Sequence, residues 1–436
     1  MSKNTIIKGA FILTLTGFIT RLIGFFFRIF LSHCFGEEQM GLYQLIFPLY
    51  ALCFSISSAG IETALCRCVA RKISKGKKTE ADLFLFYALG ISVTISLLLM
   101  WCLRTFAAPI SIYILGDLRC EDLLRVMAFA LPFASVHSCI CGYYLGTKEI
   151  QIPAISQLLE QIFRVAVVFL IYQLFSHSII VAILGIVAGE FISAYFCLHH
   201  YFGGEYLPPL RASFHKNLHF LKELSSLALP LTSTRIFTNL LQSIETISIP
   251  LSLQKFGYTN TEALSTYGVL SGMALPCILF PTAITNALST VLLPTVAEIE
   301  ATDNLSKLKS LIQRVIFFGF GLGCLCGVFF LLFGPFLGSL LFQSELTGDF
   351  LRTLAWLCPF LYMNTTLVSI LNGLGKANQS FFINIFSLTI RIVGVWWGIL
   401  FWGINGYLWG LLISQLLVSF LCILTLNTYV RSKESH

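Results

Sequence analysis

The sequence is short of charge. Asp, Glu, Lys and Arg together supply 11% of its 436 residues, against about 25% in soluble domains. That scarcity excludes a water-soluble globular protein. No polar stretch is long enough to hold a catalytic domain; the longest polar connections lie near 103–122 and 202–223. The eight His are scattered, and none forms an HExxH motif. His137 sits inside an apolar run and reads as a helix-contact residue. The fourteen Cys supply no framework either. Cys66 and Cys68 lack a second pair at zinc spacing, and most of the others fall inside apolar runs, as in Cys139-Ile-Cys141 and Cys324-Leu-Cys326. They read as small packed or lipid-facing side chains, so no cofactor or metal is expected. The net charge of +7 gathers in no basic domain, which excludes nucleic acid as a partner. The N-terminal apolar run lacks a clear small-x-small cleavage site and carries Arg21 and Arg28. It reads as a first retained span.

What the sequence has is apolar length. Hydrophobic residues make up 56%, mean hydropathy is +0.83, and there are 40 Phe and 32 Gly. Read in lipid, this is room for about twelve spans of about 20 residues each. They fall near 8–35, 40–69, 81–103, 123–146, 152–175, 178–201, 224–252, 264–294, 308–341, 350–373, 377–401 and 405–429. With the N-terminus inside, the inner loops and tail hold Arg71, Lys72, Lys75, Lys77, Lys78, Lys148, Arg211, Lys216, Lys222, Lys307, Lys309, Lys376, Arg431 and Lys433. The outer loops hold only Arg104, Arg119 and Lys255, with acidic stretches at Glu37-Glu38 and Glu345. Membrane proteins keep Lys and Arg on the cytoplasmic side. A multi-pass protein of the plasma membrane with both termini cytoplasmic is therefore expected.

The chain also repeats itself. Leu124-Arg125, Ala128, Pro132 and Phe133 recur as Leu351-Arg352, Ala355, Pro359 and Phe360, all at an offset of 227. Leu15 and Thr20-Arg21 recur as Leu229 and Thr234-Arg235 at an offset of 214. Six spans per half is an even number, so both halves enter from the same side. The expected fold is all-α and integral to the membrane. Two six-helix lobes, 1–203 and 224–436, would be joined by a cytoplasmic linker at 204–223 and related by a parallel repeat around a central cavity.

Nine ionisable residues fall within the spans: Arg21, Arg28, Arg164, Arg235, Arg391, Glu62, Glu160, Glu190 and Glu245. Each would cost about 2.5–3.5 kcal/mol at a bilayer centre, so they should line a cavity or pair inside the bundle. Helical spacing places seven of them, all but Glu62 and Glu190, on polar stripes. Span one shows Thr14, Gly17, Arg21, Gly24 and Arg28; span five, Gln157, Glu160, Gln161 and Arg164; span seven, Thr232, Arg235, Asn239, Gln242, Glu245 and Thr246. Span eight shows Thr282, Thr285, Asn286 and Ser289, and span eleven Asn384, Ser387, Arg391 and Gly394. Counting rise per residue puts Arg21, Arg164, Arg235 and Arg391 about 15–21 Å deep, near the midplane. Guanidinium groups bind phosphate bidentately. The candidate substrate-binding set is therefore Arg21, Arg28, Arg164, Arg235, Arg391, Asn239, Gln242 and Asn286. Glu62, Glu160, Glu190 and Glu245 are candidates for ion coupling or for pairing with these arginines, Glu160 with Arg164 at i,i+4 in particular.

Several segments then carry a resemblance. Lys8-Gly9-Ala10, Thr20-Arg21-Leu22-Ile23-Gly24-Phe25, Gly41-Leu42-Tyr43-Gln44, Gly142-Tyr143-Tyr144-Leu145-Gly146, Leu227-Ala228-Leu229-Pro230 and Leu371-Asn372-Gly373-Leu374-Gly375-Lys376 are among them. Together the chain resembles the family of stage V sporulation protein B and related polysaccharide biosynthesis proteins, within the multidrug/oligosaccharidyl-lipid/polysaccharide exporter superfamily. The resemblance implies two six-helix lobes and a flippase for lipid-linked saccharides such as undecaprenyl-pyrophosphate precursors of peptidoglycan. It also implies membrane lipids as partners, sodium or a proton as the candidate coupling ion, and no bond made or broken. Arg21 and Arg28 match the family's first-span arginines, implied to bind the pyrophosphate, and Arg235 matches a basic residue in span seven. Glu62 departs from the family's pattern, which often has Pro there. The rival expectations are a drug/cation antiporter of the same superfamily, with acidic residues at the cavity core, and a non-transporting scaffold of cell-wall synthesis.

Overall fold

Long apolar segments in lipid must satisfy their backbone groups internally, and helices do so within one segment. The computed structural model describes residues 3–174, 178–203, 214–302 and 305–434, and no strand occurs among them. The helices of eight residues or more are α1 Lys3–Phe54, α2 Gly60–Ile73, α3 Lys78–Thr105, α4 Cys120–Met127, α5 Ala130–Thr147, α6 Gln151–Leu174 and α7 Ile180–Phe202. They continue as α8 Phe214–Phe256, α9 Asn260–Gly268, α10 Thr282–Ala301, α11 Leu305–Phe342, α12 Glu345–Leu354, α13 Cys358–Gly373, α14 Ala377–Val393 and α15 Ile404–Glu434.

Among the described residues, eleven helical stretches are long and apolar enough to cross a membrane. They correspond to the twelve expected spans with three adjustments. Thr14–Ile73 runs as one stretch, but Gly36 at φ 75°, ψ 178° interrupts it where the first two spans were expected to part. The seventh span lies in α8, whose polar stripe keeps it out of the eleven. The eighth is divided into Asn260–Leu279 and Thr282–Ala301. Residues 214–223 of the expected linker are helical, the first turns of α8, and residues 204–213 lie outside the described residues.

Proline explains the breaks. A proline at position i has no N–H to give the carbonyl at i−4, and its ring crowds that carbonyl. Pro132 faces Ala128 in this way, and between α4 and α5 the hydrogen bonds tighten, Phe129 N–H to the Val126 carbonyl at 3.1 Å and Leu131 N–H to that of Ala128 at 3.2 Å. Pro359 faces Ala355 and is preceded by a 3-10 turn at Ala355–Leu357. Pro276 follows a π-helical segment, Val269–Ala274, and Pro281 stands at the turn before α10.

The chain forms two compact units, Met1–Phe27 with Leu42–Ser243, and Arg28–Gly41 with Ile244–His436. Both α1 and α8 therefore contribute to each. In the first unit, α2, α3, α5 and α7 enclose a core around Leu65, Phe84, Leu85 and Ile140. In the second, α10, α11, α13 and α15 pack around Val296, Leu367, Ile370 and Cys422.

Candidate functional site

The first unit carries a buried polar centre. Glu62 on α2 accepts a hydrogen bond from Ser138 on α5, Oγ to Oε2 2.9 Å. The helices approach closely there because Gly142 has no side chain; a Cβ would stand 2.8 Å from the Glu62 carbonyl oxygen and 3.1 Å from its Cγ. One turn along α6, Arg164 pairs with Glu160 and also donates to Gln161 Oε1 at 3.1 Å. His137 of α5 reaches between the acids. Its Nδ1 lies 3.6 Å from Glu190 Oε2 on α7 and 3.9 Å from Glu160 Oε2. A cavity of about 360 Å³ opens onto Glu62, His137, Ser138, Gln157, Glu160 and Glu190. Three carboxylates and one imidazole line it, so its field suits a cation rather than an anion.

The arginines differ in their surroundings. Arg164 in the first unit and Arg391 in the second are ion-paired. Arg391 Nε stands 2.7 Å from Glu245 Oε1, and Tyr407 donates its hydroxyl to the same oxygen at 2.8 Å. Glu245 is 1% exposed, so this triad holds α8, α14 and α15 together. Arg21 and Arg235, both in the first unit, are exposed. Arg235 donates to Thr63 Oγ1 at 3.2 Å. Among the described residues Arg21 has no hydrogen-bond or ion-pair partner. Arg28 belongs to the second unit and is half-buried.

The amide candidates also separate. Asn239 donates to Ser55 Oγ, in the π-helical turn Ser55–Ala59, and is a contact between α8 and that turn. Gln242 is exposed, and Asn286, on α10 of the second unit, is half-buried. Two polar networks have no counterpart among the expected residues. Ser58 Oγ lies 2.6 Å from Ser135 Oγ and 3.0 Å from Ser92 Oγ in the first unit. In the second, Asn364 donates to Gln415 Oε1 at 2.8 Å and accepts from Ser419 at 2.7 Å. Serines inside an apolar helix read as tolerated small residues, and only the packing of three helices shows them meeting.

Residues 6–300 match the family described as polysaccharide biosynthesis protein. The chain belongs to that family. Residues 235–397 also match the family described as MatE. Among curated relatives, the chain is 27% identical over 389 residues to stage V sporulation protein B of Bacillus subtilis, covering 87% of this chain and 75% of the relative. It is 23% identical over 425 residues to the lipid II flippase MurJ of the same organism, covering 90% and 77%. Among solved structures it is similar to an inward-facing MATE-family multidrug resistance transporter of the MOP superfamily. That similarity has a TM-score of 0.76 at 16% identity, covering 95% of this chain and 96% of the other, and at that identity it speaks for the fold alone. The protein is thus a multi-pass membrane protein of the polysaccharide biosynthesis family, with the fold of the MATE-family transporters.

Proposed function

We propose that the protein is a flippase that moves lipid-linked oligosaccharide or peptidoglycan precursors across the bacterial plasma membrane by alternating access, with both termini cytoplasmic. The observation that carries this reading is the contrast among the arginines. Arg164 and Arg391 are neutralised by carboxylates, whereas Arg21 and Arg235 remain exposed in one compact unit. Two guanidinium groups without acidic partners among the described residues suit a diphosphate, which needs its lost hydration replaced by charge-assisted hydrogen bonds. One of the relatives named above, a lipid II flippase, supports the same substrate class.

The acidic cavity around Glu62, Glu160 and Glu190 favours a second reading, a drug/cation antiporter. It is equally compatible with a flippase coupled to sodium or a proton. Vesicles containing only this protein and a labelled undecaprenyl-pyrophosphate saccharide separate the two readings. Translocation is expected with wild-type protein. Removing one charge-assisted contact costs about 1.5–3 kcal/mol, so Arg21→Ala or Arg235→Ala should lower it tenfold or more at unchanged membrane amount. Arg21→Lys should recover only part, because lysine lacks the planar fork. Well-expressed alanine variants that transport normally would overturn the anion-site reading, and cation export without lipid movement would replace it with the antiporter.

A further inference from the structure

We propose that the first unit holds a zinc ion on His137, Cys141 and Cys197. His137 and Cys141 stand one turn apart on α5, and Cys197 faces them from α7. One ligand atom from each lies within 4.8 Å of the other two. Tetrahedral zinc with Zn–S near 2.3 Å and Zn–N near 2.0–2.1 Å sets ligand–ligand edges of about 3.6–3.8 Å. Side-chain adjustment of about 1 Å closes the gap, within the range of rotamer motion. Both thiols are buried, Cys141 at 8% and Cys197 at 0% exposure. Two thiolates and one imidazole form a soft donor set that suits zinc and excludes magnesium or calcium.

The surroundings of the histidine are an independent argument. Its Nε2 points to the thiol side, 3.0 Å from Ser156 Oγ, which is itself 3.5 Å from Cys141 Sγ. Ser156 thus stands at the edge of the site, where its hydroxyl or a water can fill the fourth position. The other ring nitrogen faces carboxylates, 3.6 Å from Glu190 Oε2. That oxygen is buried and has no hydrogen-bond partner among the described residues. A zinc-bound histidine ordinarily donates its second N–H to a carboxylate, which fixes the tautomer and strengthens the ligand. Glu190 is placed for that role. The cavity that reaches both His137 and Cys141 supplies an entry path, and its carboxylates attract a cation.

Charge balances as well. Binding releases the two thiol protons to solvent, and Zn²⁺ with two thiolates and a neutral imidazole carries no net charge. A neutral centre is the arrangement a low-dielectric interior tolerates best. The ion would tie α5 to α7 and hold the imidazole against the acidic cavity. Neither consequence depends on what the protein transports.

The test uses the full chain purified in detergent micelles. Metal analysis should find about one zinc per chain, falling below ~0.2 in Cys141→Ser and in Cys197→Ser and unchanged in Cys139→Ser. Cobalt(II) titrated into metal-free wild-type protein should give a thiolate-to-cobalt charge-transfer band that saturates at one equivalent, a readout independent of whether the variants fold. Wild-type protein with under ~0.1 zinc per chain and no such band would overturn the proposal. So would zinc retained in both serine variants, which would assign the ion to the carboxylates beside His137.

Discussion

Glu160 and Arg164 share one turn of α6, with side chains only 16% and 20% exposed. Removing one partner of such a pair leaves an uncompensated buried charge, which costs about 3–5 kcal/mol. Glu160→Gln should therefore lower the melting temperature of the purified protein and its amount in the membrane. The double exchange, Glu160→Arg with Arg164→Glu, should restore part of both. The recovery should be incomplete because Glu190 and His137 also face this site, so the exchanged charges meet a different field. Equal damage from the single change and the exchange would mean separate roles for the two residues. This pair was legible in the sequence because both members lie four apart on one helix. The triad of Glu245, Arg391 and Tyr407 was not, since its members come from three helices. His137 was hidden for the same reason. A lone histidine in an apolar run shows which face it occupies but not that two glutamates from α6 and α7 stand opposite. The periodicity of one helix fixes a stripe, and only packing decides whether a charge on it is neutralised, as in Arg164, or left exposed, as in Arg21.

The internal repeat reappears as matched irregularities in the elements. Lys148, after α5, has φ 69°, and Gly375, after α13, has φ 71°. Gly116 and Gln343, at the same offset of 227, have φ 76° and 53°. The prolines at 132 and 359 break the helices at corresponding points as well. These signals were readable because proline and glycine act on the backbone locally, whatever surrounds them. The division of the eighth span was less readable, since the run from Leu264 to Leu293 carries no charged residue and hydropathy does not register a kink. The length of α8 was hidden too, because its first turns are polar and read as a linker. The matched turns give a prediction. A non-glycine residue in the left-handed region costs about 1–2 kcal/mol. Lys148→Gly should remove that strain and raise the melting temperature, offset in part by the greater freedom of glycine in the unfolded chain. Gly375→Val should introduce the strain and lower it. Thermal unfolding of the two variants in the same detergent checks both signs, and a fall in Lys148→Gly would show that its side chain contributes more than its backbone costs.

At the scale of the whole molecule, orientation rests on a count of cations. The turn between α2 and α3 carries Arg71, Lys72, Lys75, Lys77 and Lys78 within eight residues. Part of this charge is held by acids: Arg71 pairs with Glu223 on α8, and Lys72 and Lys77 each stand 2.8 Å from a Glu80 oxygen. The positive-inside rule counts Lys and Arg rather than net charge, so these acids do not weaken it. The expected outer loops hold only Arg104, Arg119 and Lys255 beside their acidic stretches. Glu37 there accepts hydrogen bonds from Ser265, at 2.7 Å, and Ser344, at 2.5 Å. Moving five cations of one short loop across the membrane against a potential of about 100 mV would cost about 2.3 kcal/mol for each. The turn at 71–80 is therefore expected in the cytoplasm, and 36–39 and 343–349 outside. A short epitope inserted after Gly76, an exposed turn residue, should be reached by antibody only in permeabilised cells. The same epitope after Glu345, also exposed, should be reached in intact spheroplasts. Detection of the first insertion from outside would reverse the orientation. The cytoplasmic placement of both termini proposed here would fail with it.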